Sequence, residues 1–383
     1  MEANKETNNT PNLRTYHEIT KDVLRKYLLD VREKVSEVYN ILMYNKVGFG
    51  ALGEIQANTG HQKGGKTFTE VMFMSAILEP GSTRVLQYLP GFEVPERTLK
   101  FKGRKLRVLY VDTEQSKLYS MKVARRVHWL CGWPLDEPNE RFTVLHLRTV
   151  EDDPVTDEKA YQIRFRLIMC AIEEYSPDVV FIDNLRDLVA DFNNNEQSAA
   201  LINKLMSTAQ KKNISIWNAL HYNPRPGNDD VSKMRGHLGT ELSNKVSDTF
   251  VSSKKKTGND VIFTVKQADA RGRDVDDFSF VVCDDAGGLG IPKIIKTPST
   301  DETTITDESI NALRDILQSP GISLNWTAIR KELIKRFEIS QGQSDKIIKA
   351  ALKYKILTPI ECAGRTTYKL NPDFGDDNEL PFV

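Results

Sequence analysis

The stretch ANTGHQKGGKTFTE, residues 57–70, decides the fold of this chain. It fits the spacing G-x-x-x-x-G-K-[ST], with Gly60, Gly65, Lys66 and Thr67 at the fixed positions. An apolar run precedes the motif and the helical pattern TFTEVMFMSAIL follows it, so the strand and the helix that a phosphate-binding loop needs are both present. The sequence therefore predicts a P-loop.

The residue types of the loop suit the binding of a nucleotide triphosphate. Glycines let backbone N–H groups face phosphate oxygens, and the N-terminus of the helix adds positive potential. We expect Lys66 to reach the β- and γ-phosphates and Thr67 to offer its hydroxyl to Mg²⁺. The predicted nucleotide-binding residues are the whole loop and the residue after it: Gly60, His61, Gln62, Lys63, Gly64, Gly65, Lys66, Thr67 and Phe68.

Two acidic residues are predicted to complete the site. PDVVFIDN is an apolar run that ends in Asp183, which we expect to be the second magnesium ligand. Glu114, in VLYVDTEQS, is the candidate that orients or deprotonates water, with Asp112 as the alternative base and a purely structural carboxylate also open. Ligands of open α/β sheets collect at the carboxyl ends of strands, where these residues and His221 are expected to lie.

The fold class follows from short β-rich runs that alternate with helical segments between residues 45 and 295. Apolar strands separated by helices predict an α/β domain with a mostly parallel sheet, and the last three closely spaced runs predict an antiparallel extension. The runs are GALGEIQAN, KLRVLYVD, RFTVLHL, PDVVFID, ISIWNAL, DTFVSSKK, DVIFTVKQ and FSFVVCDD.

The two ends of the chain are predicted to form separate units. Residues 1–44 combine a polar segment with apolar residues at steps of three and four from Ile19 to Leu42, which predicts one long helix that packs on its own domain or on a neighbouring subunit. Residues 296–306 predict a linker, and residues 307–371 predict three helices and a hairpin, a winged-helix-like domain. Residues 372–383 form an acidic tail.

Composition limits the remaining possibilities. The chain has 383 residues, 39% of them hydrophobic, and a formal net charge of zero, so nucleic-acid binding would need a local basic patch. Four distant cysteines without a CxxC pair argue against a disulfide framework or a zinc ribbon, and we expect buried thiols in a reducing compartment. There is no apolar run of the roughly 18 residues that a membrane span needs, so we expect a cytoplasmic protein.

The order of the motifs resembles the RecA-like core of hexameric helicases, and especially the RepA-like ATPases of plasmids and mobile elements. The resemblance spans roughly residues 40–290 and rests on the P-loop, on VDTE, on FIDN and on IWNALHYNPRPG. It implies ATP hydrolysis with Mg²⁺, assembly into a homo-oligomeric ring and single-stranded DNA as a partner. Lys63 matches a lysine common in the loops of that group, whereas His61 stands where ParA-type ATPases carry their signature lysine.

The same resemblance assigns further roles. His221 is expected to be a γ-phosphate sensor, and Arg271 or Arg273 in VKQADARGRD is expected to be the basic finger that acts on a neighbouring subunit, with Lys266 in the same element. The spacing of this element is longer than in hexameric helicases, which leaves open which arginine is the finger. Arg235 lies where such rings place DNA-contacting loops. For each basic residue a solvated surface role is the alternative.

The C-terminal region is expected to contact DNA or other proteins. The predicted DNA-binding residues there are Lys346, Lys349, Lys353 and Arg365, on the third helix and the wing. The tail, which ends in ELPFV, resembles the tails with which bacterial single-stranded DNA-binding proteins recruit replication enzymes; a plain disordered tail is the alternative. An ATP-dependent DNA-binding switch or loader is the alternative to a motor, and a metabolic kinase is disfavoured because no lid or acceptor motif is evident.

Overall fold

The strands of the main domain alternate with helices along the chain. The computed structural model describes residues 21–25, 28–32, 38–222, 234–257, 260–295, 307–317, 323–337, 341–353, 355–362 and 365–371. Its N-terminal half contains α1 (Lys21–Arg25), β1 (Asn40–Tyr44), β2 (Val47–Ala51), β3 (Ile55–Gly60), α2 (Lys66–Leu78), α3 (Thr83–Tyr88), β4 (Phe92–Glu93), α4 (Glu96–Lys102), β5 (Val108–Asp112), α5 (Lys117–Cys131) and β6 (Phe142–His146).

The second half of the main domain continues this pattern and then becomes all β. It contains α6 (Ala160–Tyr175), β7 (Val179–Asp183), a 3₁₀ helix (Leu185–Leu188), α7 (Asn195–Lys212), β8 (Ser215–His221), α8 (Gly236–Lys245), β9 (Asp248–Thr257), β10 (Asp260–Ala270), β11 (Phe278–Cys283) and β12 (Ile291–Ile295).

One nine-stranded sheet organises the domain, in the order β12-β11-β10-β9-β3-β8-β7-β5-β6. The six strands from β9 to β6 are parallel to their neighbours, and β9 to β12 are joined in antiparallel fashion. This confirms the predicted α/β class with a mostly parallel sheet and an antiparallel extension. β12 is a fourth strand of that extension that the sequence analysis missed.

Both faces of the parallel part are covered, as the apolar strands require. Along β7, Val179 and Phe181 enter one hydrophobic core while Val180 and Ile182 enter the other, and all four are fully buried. The first core packs under α2 and α5, and the second under α6 and α7. The strand ends that meet at one edge therefore carry the polar side chains.

The predicted long helix from Ile19 to Leu42 is wrong where the structure describes this region. Only α1 is helical there, residues 28–32 form no helix, and Leu42 lies in β1. Asn45 and Lys46 both have positive φ and join β1 to β2 as a two-residue hairpin loop, whose twist suits paired strands. β1, β2 and the short β4 form a separate three-stranded sheet that was not predicted, so GALGEIQAN is divided between β2 and β3.

The C-terminal region contains the predicted three helices and hairpin. These are α9 (Asp307–Ile316), α10 (Trp326–Phe337), α11 (Gln341–Lys353), β13 (Leu357–Cys362) and β14 (Arg365–Leu370), the strands pairing in antiparallel fashion. They share a hydrophobic core of their own. The predicted linker, residues 296–306, and the predicted tail, residues 372–383, lie outside the described residues.

The cysteines follow the prediction only in part. Cys131 is buried, whereas Cys170 is exposed, so the expectation of a buried thiol is wrong there because α6 turns this residue to solvent. Within the described part of the chain, we find no helix with the length and apolar character to cross a membrane.

Candidate functional site

The glycine loop between β3 and α2 is packed too closely for side chains at its two ends. A Cβ at Gly60, where φ is 148°, would lie 2.2 Å from the carbonyl oxygen of Ser252. A Cβ at Gly65, where φ is 106°, would lie 2.7 Å from the ring of Phe263. Strands β9 and β10 therefore press the loop against the start of α2, and only glycine fits at these positions.

Lys66 is almost fully buried at the first position of α2, with 6% of its surface exposed. Its Nζ lies 3.4 Å from the carbonyl oxygens of Gly60 and His61 and 2.8 Å from Nδ1 of His221. Burial lowers the pKa of Lys66, and the nearby carboxylates, Asp183 first, oppose that effect. Among the described residues it makes no ion pair within 4 Å, so its charge is available to an anionic ligand.

Thr67 and Asp183 bring two oxygen ligands together at the mouth of the loop. Thr67 Oγ1 donates a hydrogen bond of 3.1 Å to Asp183 Oδ2, and the Tyr110 hydroxyl lies 3.4 Å from the same oxygen. Burial, with the charge of Asp112 second, raises the pKa of Asp183 to about 6. A hydroxyl and a carboxylate are the ligands that Mg²⁺ takes in P-loop sites, so this pair fits the ion.

Glu114 faces the site and is held by two polar neighbours. Asn184 Nδ2 donates to Glu114 Oε2 at 3.2 Å, and His221 Nε2 lies 3.5 Å from the same oxygen. The contact with His221 is the largest cause of a lowered pKa for Glu114, whose side chain is 49% exposed. When Lys66 donates to Nδ1 of His221, the remaining ring proton is on Nε2 and points to the glutamate.

Asp112, the alternative base, is occupied by structural hydrogen bonds. Its Oδ1 accepts from the backbone N–H of Glu114 at 3.1 Å and of Gln115 at 2.8 Å, and its Oδ2 accepts from Ser120 Oγ at 2.7 Å. It is fully buried and anchors the turn that leads into α5. The geometry therefore favours Glu114 as the base.

Residues 63–68 of the loop, Glu114, Asp183 and His221 line one cleft of about 420 Å³, together with side chains that the sequence analysis missed. Arg126 on α5 lies 4.6 Å above the ring of Phe68, and its Nε donates to the carbonyl oxygens of Leu289 and Gly290. Lys254 lies 5.7 Å from the ring centre of Phe263. The lysine run SSKKKTG was a visible signal for Lys254, whereas Arg126 reaches the cleft only through packing of distant segments. The missed lining residues are Gln115, Tyr119, Arg126, Lys254 and Phe263.

The predicted finger residues lie at the ends of the strands that are opposite the P-loop. The backbone N–H of Arg271 donates to Ser247, whose own N–H donates to Ile55 at the start of β3. Five residues of strand separate Ile55 from Gly60, or roughly 17 Å at about 3.3 Å per residue. Arg273 follows in the same exposed turn. Lys266 lies within β10, and its Nζ forms an ion pair of 3.3 Å with Asp277 Oδ2.

The predicted DNA-contacting residues are placed only in part. The backbone N–H of Arg235 donates to the carbonyl oxygen of His221 at 3.0 Å, and its guanidinium lies 4.8 Å above the ring of Phe192. The start of α8 is therefore joined directly to the end of β8, while residues 223–233 between them lie outside the described residues. Lys349 is exposed on α11. The side chains of Lys346, Lys353 and Arg365 are not among those that the structure describes.

Comparison with known proteins agrees with this geometry. Residues 44–224 match the family model of the AAA domain. The match includes the P-loop, Glu114, Asp183 and His221, and it supports a P-loop NTPase. The nine-stranded, mostly parallel sheet is consistent with a RecA-like P-loop ATPase core. A search of curated proteins gave no match.

Proposed function

We propose that this protein is an ATP-hydrolysing DNA motor that works as a ring of identical subunits, a RepA-like helicase or translocase of a mobile element or phage. The position of Arg271 supports assembly into a ring, because it lies roughly 17 Å along the sheet from its own P-loop. An arginine at that edge can neutralise transition-state charge only in the site of another subunit. The resemblance to hexameric helicases supports the same reading.

In this proposal the P-loop amides and Lys66 hold the triphosphate of ATP. Thr67 and Asp183 would hold Mg²⁺, which would neutralise charge on the phosphate oxygens. Glu114 orients a water molecule and accepts its proton as the water oxygen bonds to the γ-phosphorus. The bond from that phosphorus to the β–γ bridging oxygen breaks, which releases ADP and inorganic phosphate. Asn184 positions the Glu114 carboxylate throughout.

His221 is proposed to couple this chemistry to DNA. Its ring contacts both Lys66 and Glu114, so loss of the γ-phosphate changes the charges around it. Its carbonyl oxygen accepts a hydrogen bond from the backbone N–H of Arg235, the residue just before α8. A shift of His221 would therefore reach Arg235, where a DNA contact is proposed.

The C-terminal unit favours a second candidate, an ATP-dependent DNA-binding switch or loader that separates no strands. Three helices and a hairpin on an independent core suit a winged-helix-like module that binds duplex DNA through α11 and the hairpin. We also propose that the acidic tail binds a replication protein. Deletion of residues 373–383 that alters neither DNA affinity nor partner binding would remove that last proposal.

The two candidates differ in what DNA does to turnover. For the motor we expect single-stranded DNA to stimulate ATP hydrolysis, strand separation in a helicase assay, and a ring in sedimentation with a non-hydrolysable ATP analogue. For the switch we expect nucleotide-dependent duplex binding with low turnover. A protein that stays monomeric with nucleotide and DNA, and whose turnover ignores DNA, would exclude the motor.

A further inference from the structure

A pair of polar side chains, Asn58 on β3 and Glu70 on α2, lies beneath the P-loop and takes no part in the chemistry described above. Both side chains are fully buried. Asn58 Nδ2 donates a hydrogen bond of 3.0 Å to the carbonyl oxygen of Lys66 and one of 3.2 Å to Glu70 Oε1. Because a carbonyl oxygen can only accept, the atom of Asn58 that faces Lys66 is its amide nitrogen.

The Asn58–Glu70 pair connects the two ends of the P-loop. Asn58 stands two residues before Gly60, where β3 ends, and Lys66 is the first residue of α2 after the loop. Glu70 follows Thr67 by three residues and Lys66 by four, so all three lie on neighbouring positions of the helix surface. The hydrogen bonds of Asn58 therefore fix the first turn of α2 against β3 without relying on the backbone of the loop.

This pair costs the fold stability. Among the described residues, Asn58 Oδ1 and Glu70 Oε2 are buried without a hydrogen-bond partner. The register of β3 and β8 places Ala219 beside Asn58, and an alanine side chain offers no donor. Burial, with the charge of Asp183 second, raises the pKa of Glu70 well above its usual value. Two apolar side chains of similar size would fill the same space without these costs.

We propose that Asn58 and Glu70 are positioning residues for nucleotide binding. The pair holds the first turn of α2 so that Lys66 and Thr67 stand ready for the triphosphate and its magnesium ion before either binds. Such preorganisation raises affinity because the loop does not have to be ordered by its ligand. The inference rests on the ATP binding proposed above, and it depends on neither the ring nor DNA.

The double variant Asn58→Leu/Glu70→Met tests the inference. Leucine and methionine are close in size to the side chains that they replace, and removing both polar partners together leaves neither of them unpaired. We expect the free energy of unfolding, measured in urea without nucleotide, to equal or exceed that of the parent. The Kd for ATP with Mg²⁺, measured by isothermal titration calorimetry, should rise about tenfold or more. A purely structural role would not combine these two results.

Two single variants separate the hydrogen bond from charge. Glu70→Gln keeps an acceptor oxygen for Asn58 Nδ2, so its Kd for ATP should stay within about threefold of the parent value. Glu70→Met removes that acceptor and leaves the Asn58 amide without it. Its Kd should rise about tenfold or more.

Gln56→Leu is the matched control. Gln56 is fully buried on the same face of β3, two residues before Asn58. Its Nε2 donates to the carbonyl oxygen of Ala51 at 3.3 Å and its Oε1 accepts from Ser215 Oγ at 2.8 Å, so its hydrogen bonds lie away from the loop. This variant should lose stability and keep its Kd for ATP within about threefold of the parent value.

The outcomes are distinct. Unchanged ATP affinity in the double variant, a double variant less stable than the parent, or equal losses of affinity in Glu70→Gln and Glu70→Met would each overturn the inference alone. A loss of affinity in Gln56→Leu as large as in the double variant would also overturn it. A parent protein with no measurable affinity for ATP and Mg²⁺ would overturn the proposed function as well.

Discussion

Replacing Asp183 by asparagine should stabilise the nucleotide-free protein while it abolishes hydrolysis. The carboxyl is buried beside Asp112, and burial raises its pKa from 3.8 to about 6. When folding raises the pKa of an acid, its ionisation does not lower the free energy of unfolding below the unfolded pKa. The loss of stability grows as the pH rises and is complete above the folded pKa. The amide of the variant would carry no charge at any pH, so it avoids this cost.

The two pKa values determine the size of the effect. With 3.8 unfolded and about 6 folded, ionisation of Asp183 costs about 3 kcal/mol at pH 7.5 but only about 1 kcal/mol at pH 4.5. The pKa of about 6 already includes the attraction to Lys66 and the Thr67 hydrogen bond, so this cost is a net one. Asparagine can still accept the Thr67 hydrogen bond, but its amide N–H group is a new buried donor, so the observed gain at pH 7.5 should be about 1–3 kcal/mol.

Urea unfolding of Asp183→Asn and of the parent protein, without nucleotide, at both pH values is the assay. Asp136→Asn, at an exposed aspartate, is the control and should change the free energy of unfolding by less than about 0.5 kcal/mol. ATP with Mg²⁺ should raise the stability of the parent more than that of the variant. A variant less stable than the parent at pH 7.5, or a gain that does not shrink towards pH 4.5, would refute the reasoning.

Three other substitutions test the site. Asn184→Ala should lower kcat by about 10- to 100-fold with an unchanged Kd for ATP, because Glu114 loses its positioning hydrogen bond; single-turnover rates and a binding titration check this. Arg271→Ala should abolish turnover and spare nucleotide binding, and mixing with Lys66→Ala chains should restore some activity, since each variant supplies what the other lacks. Gly60→Ala should lose ATP binding, because the added Cβ would lie 2.2 Å from the Ser252 carbonyl oxygen; equal affinity in a titration would contradict this.

The local elements of the site could be predicted because each depends on a short continuous pattern. Gly60 to Thr67 encode a loop and a helix start by their spacing alone, and the apolar run before Asp183 encodes a buried strand with a polar end. Parallel strands bring their carboxyl ends to one edge, which is why Glu114 and His221 were expected there and are found there.

What the sequence determined by itself was therefore the fold class and the ends of its central strands, because strand alternation and loop spacing act over a few residues. Tertiary structure alone decided that Asp112 accepts backbone hydrogen bonds and that Arg126 and Lys254 enter the cleft. It alone placed Arg271 at the strand ends opposite the P-loop. It also decided that Leu42 belongs to a strand, because pairing across the Asn45–Lys46 turn outweighs helical spacing. These outcomes depend on contacts between distant segments, which no local pattern encodes.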